Sequence, residues 1–397
     1  MRVSTDVVVV GGCGHVGLPL AIALADRGLS VTSFDIDEAA VATVNAGTMP
    51  FSEQGAPEVL ARVRASGQFR ATSDIASVTS TDVVIVVIGT PVDEHLNPDP
   101  DAVVAAMREC RPFLRDGQLV VLRSTVYPGV SARVERELSD RGLDVDVVFC
   151  PERIAEGRAM TELFTLPQLV GARTPEAAER AAALFTRLGV ESVRLTPEEA
   201  ELAKLFTNTW RYIKFAAANQ FFIMANDKGL DFSRIHHALT FDYPRAADMP
   251  GPGFAAGPCL LKDTMQLAAF TNNTFVLGHS AMLVNEGLPL YVVERMEQRW
   301  PLADMTVGIL GMAFKAESDD TRSSLSYKLR KILRFRASRV LCTDPYVDRD
   351  ANLDSLDEVV AKSDVLVIGA PHAAYRDLEA DVPVVDVWNL RGAGVLL

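Results

Sequence analysis

The chain has 397 residues, of which 48% are apolar and 23% charged, and its formal net charge is −13 at pH 7. This length predicts two or three domains, and the composition excludes a disordered or fibrous protein. The acidic balance argues against nucleic-acid binding, which needs a concentrated basic surface, but allows an anionic small ligand held by backbone N–H groups.

The sequence lacks the patterns of a membrane or secreted protein. No uninterrupted apolar stretch reaches the length of a membrane span, and no signal-peptide pattern precedes the first strand. We therefore expect a cytoplasmic protein without membrane contact. The cysteines are odd in number, widely spaced and without CxxC or Cys/His pairs, which supports neither a disulfide framework nor a metal site. They are Cys13, Cys110, Cys150, Cys259 and Cys342.

Short continuous apolar runs alternate with helical patterns in the first half of the chain. Runs that are apolar on both faces are typical of strands buried in a parallel sheet. They occupy residues 7–10, 31–34, 83–88, 119–122, 145–149 and 169–170. We predict a doubly wound, Rossmann-like α/β domain over residues 1–195.

A glycine-rich turn follows the first predicted strand. Gly12, Gly14 and Gly17 have the GxGxxG spacing and come directly before a helical pattern, as dinucleotide binding requires. Asp35 ends the second strand, eighteen residues after Gly17. A carboxylate there accepts hydrogen bonds from ribose hydroxyls and repels a 2′-phosphate, so the pattern predicts NAD as the cofactor.

The central region begins with a strong helix start. Thr196 is placed as N-cap, Pro197 occupies the first helical position, and Glu199 completes a capping box. Residues 201–226 follow without proline or glycine. We predict a long helix in a central helical domain over 196–300, with a surface for association.

A loop of small residues at 253–263 holds Cys259, with Lys262 three residues further on. Backbone N–H groups at a helix start and a nearby lysine favour a thiolate, which makes Cys259 a candidate nucleophile. A single cysteine is more often a small buried apolar residue, so this argument alone leaves both interpretations open.

A second α/β series follows, with apolar runs at 307–310, 340–342, 365–368 and 384–385. It predicts another Rossmann-like domain at 301–397, which the central long-helix domain joins to the first. Ligands in such folds bind beyond the carboxyl ends of the strands.

Further motifs make the combination specific. They are Gly89-Thr90-Pro91 and the runs 124–129, 150–157, 201–208, 311–315 and 319–322. With the glycine turn and the Cys259 loop, their order resembles the UDP-glucose/GDP-mannose dehydrogenase family of nucleotide-sugar 6-dehydrogenases over essentially the whole chain. The resemblance implies a four-electron oxidation of a sugar C6 alcohol to a carboxylate, consuming two NAD through a thiohemiacetal and a thioester on Cys259.

The resemblance also implies roles for individual residues. Lys204 and Asn208 would stabilise the oxyanion, and their i, i+4 spacing puts them on one helix face. Thr125 and Asp263 would position water, and Glu152 would act as general base. The implied cofactor-binding residues are Gly12, Gly14, His15, Val16, Gly17, Asp35, Thr90, Pro91, Ser124, Thr125, Glu156, Lys262 and Arg322. The implied substrate-binding residues are Glu152, Arg153, Glu156, Lys204, Asn208, Arg245, Gly253, Phe254, Ala255 and Lys315.

Some positions depart from the commonest family pattern or indicate a branch. Ala256-Gly257 stands where many members have two glycines, and no basic residue follows Asp35 closely. The runs 150–154 and 242–245 look more like the branch that handles N-acetylhexosamine nucleotides. UDP-glucose, dTDP-glucose and UDP-N-acetylhexosamines all remain candidate substrates.

Two other interpretations stay open at this point. A single-step NAD-dependent β-hydroxyacid-type dehydrogenase shares the first domain and a helical middle, but needs neither Cys259 nor a second α/β domain. A catalytically silent nucleotide-binding scaffold would have lost catalytic groups, yet the candidate groups are present. The apolar long helix and the reach of Arg245 towards a neighbour predict a homodimer.

Overall fold

The computed structural model of the chain describes residues 5–90, 99–140, 142–255 and 257–397. The chain folds as two compact units, Met1–Phe206 and Thr207–Leu397. The division into three domains at 195 and 300 stays a prediction. No helix in the described part of the chain has the length and apolar character needed to span a bilayer.

The first unit is built on an eight-stranded sheet of order β3-β2-β1-β4-β5-β6-β7-β8. Its strands are β1 (Val7–Val10), β2 (Val31–Phe34), β3 (Phe69–Thr72), β4 (Val83–Val86), β5 (Leu119–Leu122), β6 (Asp146–Phe149), β7 (Gln168–Gly171) and β8 (Ser192–Leu195). The first six are parallel, whereas β7 runs antiparallel to β6 and β8 runs parallel to β7. The doubly wound α/β architecture is confirmed, with an antiparallel step that the sequence pattern did not indicate.

Helices connect these strands and cover the sheet. They are α1 (Gly17–Asp26), α2 (Glu38–Asn45), α3 (Ala56–Ala65), α4 (Ala102–Cys110), α5 (Val130–Ser139), α6 (Ala159–Glu162) and α7 (Pro175–Thr186). Side-chain caps fix two of their starts, since Asp37 accepts N–H groups of α2 and Thr174 accepts one of α7. β1, β2 and β5 are buried along their whole length, because helices lie against both faces of the sheet.

The two strands that the sequence pattern missed, β3 and β8, lie at the two edges of this sheet. β3 alternates buried and exposed positions, and the residues of β8 are only partly buried or exposed. An edge strand is not covered on both sides, so it lacks the continuous apolar run that identified the inner strands.

The predicted long helix is α8 (Pro197–Asn226), which begins within the first unit and ends within the second. Its capping box is confirmed: Glu199 Oε2 accepts the Thr196 N–H at 2.8 Å, and Thr196 Oγ1 accepts the Glu199 N–H at 3.3 Å. At a rise of about 1.5 Å per residue, the helix is about 45 Å long.

The second unit contains a four-stranded parallel sheet of order β10-β9-β11-β12. Its strands are β9 (Thr306–Leu310), β10 (Arg339–Thr343), β11 (Val365–Ile368) and β12 (Val384–Val385). Its further helices are α9 (Phe232–Thr240), α10 (Leu260–Phe270), α11 (Val276–Arg299), α12 (Leu325–Leu333) and α13 (Leu356–Lys362). One apolar core combines Phe222 of α8, Val292 of α11 and Ile309 of β9, so helices and sheet of this unit share their packing.

Candidate active site

The glycine turn of the first unit connects β1 to the start of α1. A Cβ atom on Gly17 would lie 2.3 Å from the carbonyl oxygen of Gly11, so the helix start can approach the turn this closely only without a side chain. The first turn of α1 lies wholly within the described residues and contains no acidic residue. Its N–H groups and dipole therefore suit an anionic ligand such as a pyrophosphate.

Asp35 lies directly after β2, beside this turn. Its Oδ2 accepts the Cys13 N–H at 2.9 Å and its Oδ1 accepts the Asp37 N–H at 3.1 Å. These bonds fix the carboxylate at the carboxyl end of the strand, where a ribose binds in Rossmann folds. Ile36, which the sequence reasoning did not single out, is 84% exposed next to it.

The side chain of His15 connects the glycine turn to the segment after β6. Its Nδ1 lies 3.3 Å from Glu156 Oε1, and its ring centroid lies 4.1 Å from that of Phe51. Two residues that the sequence assigns to the cofactor are therefore neighbours within the first unit. Val16 is the N-cap of α1 and is partly buried.

The strand ends next to this turn carry Thr90, Ser124 and Thr125. Ser124 Oγ accepts the Ile88 N–H and donates to the Ile88 carbonyl oxygen, both at 2.8 Å, so this hydroxyl ties the end of β5 to the residues after β4. Thr90 and Thr125 are partly buried. Pro91 lies outside the described residues.

Glu152 lies two residues beyond Cys150, after β6, and is held from several sides. Its Oε1 accepts the N–H groups of Arg153 at 2.7 Å and Ile154 at 2.9 Å, while its Oε2 accepts from Arg123. Burial raises the pKa of Glu152, but the Arg123 charge and these hydrogen bonds outweigh it and leave the pKa below its ordinary value. The Arg153 guanidinium donates to the carbonyl oxygen of Pro167.

Glu53 was not found by sequence reasoning, yet it holds the end of the segment that carries Glu156. Its carboxylate is 4% exposed and accepts the N–H groups of Gly157 at 2.8 Å and Ala159 at 2.9 Å. A charged acceptor for two N–H groups fixes this turn and the start of α6.

Cys259 of the second unit is the N-cap of α10, where the helix dipole favours a thiolate. All five cysteines lie among the described residues, and Cys259 is the exposed one. Burial raises the pKa of Cys13 and Cys150 to about 12 and that of Cys110 and Cys342 to about 11. Those four thiols stay protonated at neutral pH, which leaves Cys259 as the candidate nucleophile.

Two groups surround the carboxylate of Asp263, on the first turn of α10. Asn208 Nδ2 donates to Asp263 Oδ2 at 2.6 Å, and Lys262 Nζ lies 3.6 Å from Asp263 Oδ1. Asp263 is fully buried, and its Oδ1 accepts no hydrogen bond from the described residues. Lys204 lies one turn before Asn208 on α8 and is 7% exposed.

The loop before Cys259 is fixed by an amide that the sequence reasoning missed. Asn219 accepts the Gly253 N–H at 2.9 Å and donates to the Gly253 carbonyl oxygen at 3.0 Å and to Asn285 Oδ1 at 2.9 Å. A Cβ atom on Gly253 would lie 2.3 Å from ring atoms of Trp388. Phe254 and Ala255 follow in buried positions, and the Phe254 ring meets Trp388 edge-on.

The loop after β9 contacts the Cys259 loop. A Cβ atom on Gly257 would lie 2.7 Å from the Phe314 ring, and the φ of +107° at Gly257 favours glycine in any case. Lys315 comes next, with its Nζ 5.3 Å from the centroid of the same ring. The candidate substrate contact Lys315 thus lies beside a side chain that touches the nucleophile loop.

A buried pair holds the loop after β9 at both ends. Asp344 Oδ2 accepts the N–H groups of Met312 at 2.6 Å and Ala313 at 2.9 Å, and lies 3.1 Å from His372 Nε2. His372 Nδ1 accepts the Glu317 N–H at 3.0 Å. Because Nδ1 is an acceptor, the proton of the neutral ring is on Nε2 and is donated to Asp344.

Two predicted arginines have contrasting surroundings. Arg322 makes two hydrogen bonds to Asp320 Oδ2, from Nε at 2.9 Å and from Nη2 at 2.6 Å. Arg245 is exposed in the turn after α9, with its guanidinium carbon 5.9 Å from the Tyr243 ring centroid. Arg245 is therefore available to a ligand or a neighbouring molecule.

The glycine turn with Asp35 in the first unit, and the exposed thiol at the start of α10 in the second, define the class as an NAD-dependent dehydrogenase. The UDP-glucose/GDP-mannose dehydrogenase family models match the chain in three parts: the NAD binding domain at residues 6–189, the central domain at 198–286 and the UDP binding domain at 308–391. The chain belongs to this family. It is an NAD-dependent nucleotide-sugar dehydrogenase.

Individual relatives extend over nearly the whole chain. A UDP-N-acetyl-D-mannosamine dehydrogenase of Pyrococcus horikoshii is 30% identical over 94% of this chain and 90% of its own length. The solved UDP-D-ManNAc dehydrogenase of that organism superposes with a TM-score of 0.90 at 27% identity, covering 97% of this chain and 96% of the other. A UDP-glucose dehydrogenase from Pyrobaculum islandicum gives 0.89 at 27% identity, covering 97% and 95%. Both alternative interpretations, the β-hydroxyacid dehydrogenase and the silent scaffold, are thereby set aside.

Proposed function

We propose that this enzyme oxidises the C6 primary alcohol of a nucleoside-diphosphate hexose to the uronate through covalent intermediates on Cys259. The observation that supports this most is the contrast among the cysteines: Cys259 is exposed at the start of α10, and the other four are buried. A nucleophile must reach the substrate and must ionise; burial prevents both for the other four thiols, whereas Cys259 is exposed at a helix start.

The proposed reaction has two oxidations and one hydrolysis. Bound NAD⁺ supplies the electron acceptor, taking a hydride from C6 in each oxidation. The Cys259 thiolate adds to the aldehyde carbon formed first, and the C–S bond gives a thiohemiacetal; the second oxidation gives a thioester. Water then adds to the thioester carbon, the C–S bond breaks, and the uronate and the thiolate are released. The sum is one alcohol, one water and two NAD⁺ giving one carboxylate, two NADH and three protons.

The contacts within each unit suit the roles proposed for their side chains. Lys204 and the second amide proton of Asn208 stabilise the oxyanion, while the bond to Asp263 orients the Asn208 amide. Asp263 Oδ1, which accepts no hydrogen bond from the described residues, positions the hydrolytic water together with Thr125. Glu152 accepts the proton of that water.

The ligand-binding roles follow the same division. The turn with Gly12, Gly14, His15, Val16 and Gly17 binds the pyrophosphate, and Asp35 binds the adenosine ribose. Thr90, Ser124, Glu156, Lys262 and Arg322 are the further proposed cofactor contacts. Arg153, Arg245 and Lys315 bind the nucleotide sugar, with the backbone of Gly253, Phe254 and Ala255 lining its sugar. A cytoplasmic location stays a prediction from the sequence.

A UDP-N-acetylhexosamine is the proposed substrate, ahead of UDP-glucose and dTDP-glucose. The sequence runs 150–154 and 242–245 indicate the N-acetylhexosamine branch, and the Pyrococcus horikoshii relative is named for UDP-N-acetyl-D-mannosamine. Purified enzyme should produce NADH fastest with a UDP-N-acetylhexosamine in a panel of nucleotide sugars. Faster turnover of UDP-glucose or dTDP-glucose would assign the substrate to the other branch.

The covalent mechanism is tested with Cys259→Ser, with Cys110→Ala as a control that alters a buried thiol. Wild-type enzyme should yield two NADH per sugar. Cys259→Ser should lose uronate formation by about a thousandfold or more and still bind NAD. Intact mass after rapid quench should detect an acyl adduct in wild type only. Unaltered turnover of Cys259→Ser, or one NADH per sugar in wild type, would remove the mechanism.

A homodimer is proposed from exposed apolar side chains of the second unit. Met224 of α8 is 58% exposed and Leu283 of α11 is 69% exposed. Other large apolar residues on the same two helices are also exposed. Large exposed apolar surfaces of this kind mark association sites. Sedimentation should show a dimer for wild type and a monomer for Met224→Glu/Leu283→Glu. Phe335→Glu, at an exposed apolar residue after α12, is the control that should stay dimeric; a monomeric wild type would refute the proposal.

A further inference from the structure

A fully buried guanidinium follows the central strand β5. Arg123 is 1% exposed, and the residues before it, 119–122, form the strand. A buried cation is costly unless a charged partner and further acceptors compensate it. The position of the Arg123 guanidinium must therefore be fixed by charged and polar partners.

Those partners come from three places in the first unit. Nη1 donates to the Cys150 carbonyl oxygen at 3.2 Å and to Gln168 Oε1 at 2.9 Å, and Nη2 donates to Glu152 Oε2. The guanidinium carbon lies 5.1 Å from the centroid of the Phe185 ring, at cation–π distance. Gln168 is itself fixed, because its Nε2 donates to the Pro151 carbonyl oxygen at 3.1 Å.

The carboxylate of Glu152 is the charged group on which this arrangement acts. One oxygen accepts two backbone N–H groups and the other accepts the Arg123 guanidinium. A carboxylate oxygen has two lone pairs, so Oε2 keeps an acceptor position for a further proton donor such as water. The Glu152 side chain is 12% exposed, so one part of it reaches solvent.

We propose that Arg123 is a positioning residue that fixes the Glu152 carboxylate, in its ionised form, for hydrolysis of the Cys259 thioester. This inference rests on the proposed function. In the step concerned, the water oxygen bonds to C6 while its proton passes to Glu152; the tetrahedral intermediate then breaks its C–S bond and releases the Cys259 thiolate. Arg123 touches neither water nor substrate in this step and acts through Glu152.

Other ionisable side chains near Glu152 make their hydrogen bonds elsewhere, although the charges of Arg153 and Glu152 also act on each other. Arg153 donates to the Pro167 carbonyl oxygen. Glu162 of α6, which lines the same cleft, accepts the Ala155 N–H at 2.6 Å. Burial raises the pKa of Cys150 to about 12, so that thiol is neutral. Among the described residues, Arg123 is thus the charged side chain that hydrogen-bonds directly to the carboxylate.

The test measures the decay of the Cys259 acyl intermediate against pH, by rapid quench and intact mass. Loss of an opposite charge beside a carboxylate raises its pKa by about 1–3 units. The acid limb of the decay rate, where the rate falls as Glu152 is protonated, should therefore lie about 1–3 pH units higher in Arg123→Met than in wild type. Arg123→Lys keeps the charge, and its limb should stay within about one unit of wild type. Arg180→Met, which removes an arginine paired with Asp146 on the surface, is the matched control and should leave the limb unchanged.

Folding of each variant is checked by NAD binding and thermal unfolding. If Arg123→Met does not fold, Arg123→Gln, which is uncharged but can still hydrogen-bond, takes its place. An acid limb of the uncharged variant that coincides with wild type overturns the inference, as does wild-type decay in Glu152→Gln. Wild-type enzyme that gives one NADH per sugar would instead show that the proposed function has failed.

Discussion

Replacing Asn219 by alanine should both destabilise the second unit and impair turnover, because one amide holds the loop before Cys259. The substitution removes the partners of the Gly253 N–H and Asn285 Oδ1. It also removes one hydrogen bond to the Gly253 carbonyl oxygen, which keeps the Ala255 N–H at 2.8 Å. Asn285 is fully buried and Gly253 is buried, so water cannot replace the lost bonds. Each buried polar atom left without a partner costs about 1–3 kcal/mol, and two give a loss of at least about 2 kcal/mol.

This loss corresponds to a fall in Tm of roughly 4–8 °C for a unit of this size. Differential scanning calorimetry measures it, and steady-state kinetics should show a lower kcat and a higher KM for the nucleotide sugar. Gln220→Ala is the matched control, since Gln220 is the next residue on α8 and is exposed. Asn219→Ala that unfolds within about 0.5 kcal/mol of Gln220→Ala, the range of an ordinary surface substitution, would refute the reasoning.

Three further outcomes are expected. Asp35→Ala should raise the KM for NAD by about ten- to hundredfold, since a hydrogen bond to a charged group contributes about 1.5–3 kcal/mol. It should also reduce the preference of the enzyme for NAD over NADP. An unchanged KM for NAD in initial-rate assays would count against the ribose contact. Gly257→Ala should lower Tm and kcat, because its Cβ would meet Phe314 at 2.7 Å at a left-handed φ, and Phe314→Leu should restore only the steric part; full recovery in the double variant would contradict the backbone contribution. Burial raises the pKa of Asp344, but His372 and backbone N–H groups lower it more, so the pKa lies below its ordinary value. The ionised carboxylate therefore stabilises the folded state fully above the unfolded pKa of about 3.9, and this stabilisation is lost as the pH falls through the folded pKa. The Tm difference between wild type and Asp344→Asn should therefore shrink towards about pH 3, and a constant difference would exclude this linkage.

The fold was predictable wherever burial left a pattern in the sequence. Inner strands such as β1, β2, β5 and β11 match the predicted runs because both of their faces are covered. The capping box at Thr196 was readable because its side chains act over three residues of sequence. The reversed direction of β7 was not, since pairing direction depends on connections and not on local composition.

Candidate site residues could be named from the sequence where motifs carry the chemistry, but not where residues only support the site, and their roles stay predictions. The sequence predicts Cys259, Asp263 and Asn208 as site residues, and the last two are in contact. Arg123, Asn219 and Glu53 were missed because each acts on a segment distant in sequence. Arg123 and Asn219 carried a signal, because each is a polar residue at or within an apolar run.

The contacts of Gly253 with Trp388 and of Gly257 with Phe314 set a rule for exchanging parts between relatives. A chimera that imports only a new C-terminal domain, in order to change nucleotide preference, would replace the two rings by side chains of other shapes. These side chains would then lie against glycines whose close contacts fit only the original rings. The exchangeable module is therefore the domain together with residues 253–259, transplanted as one piece.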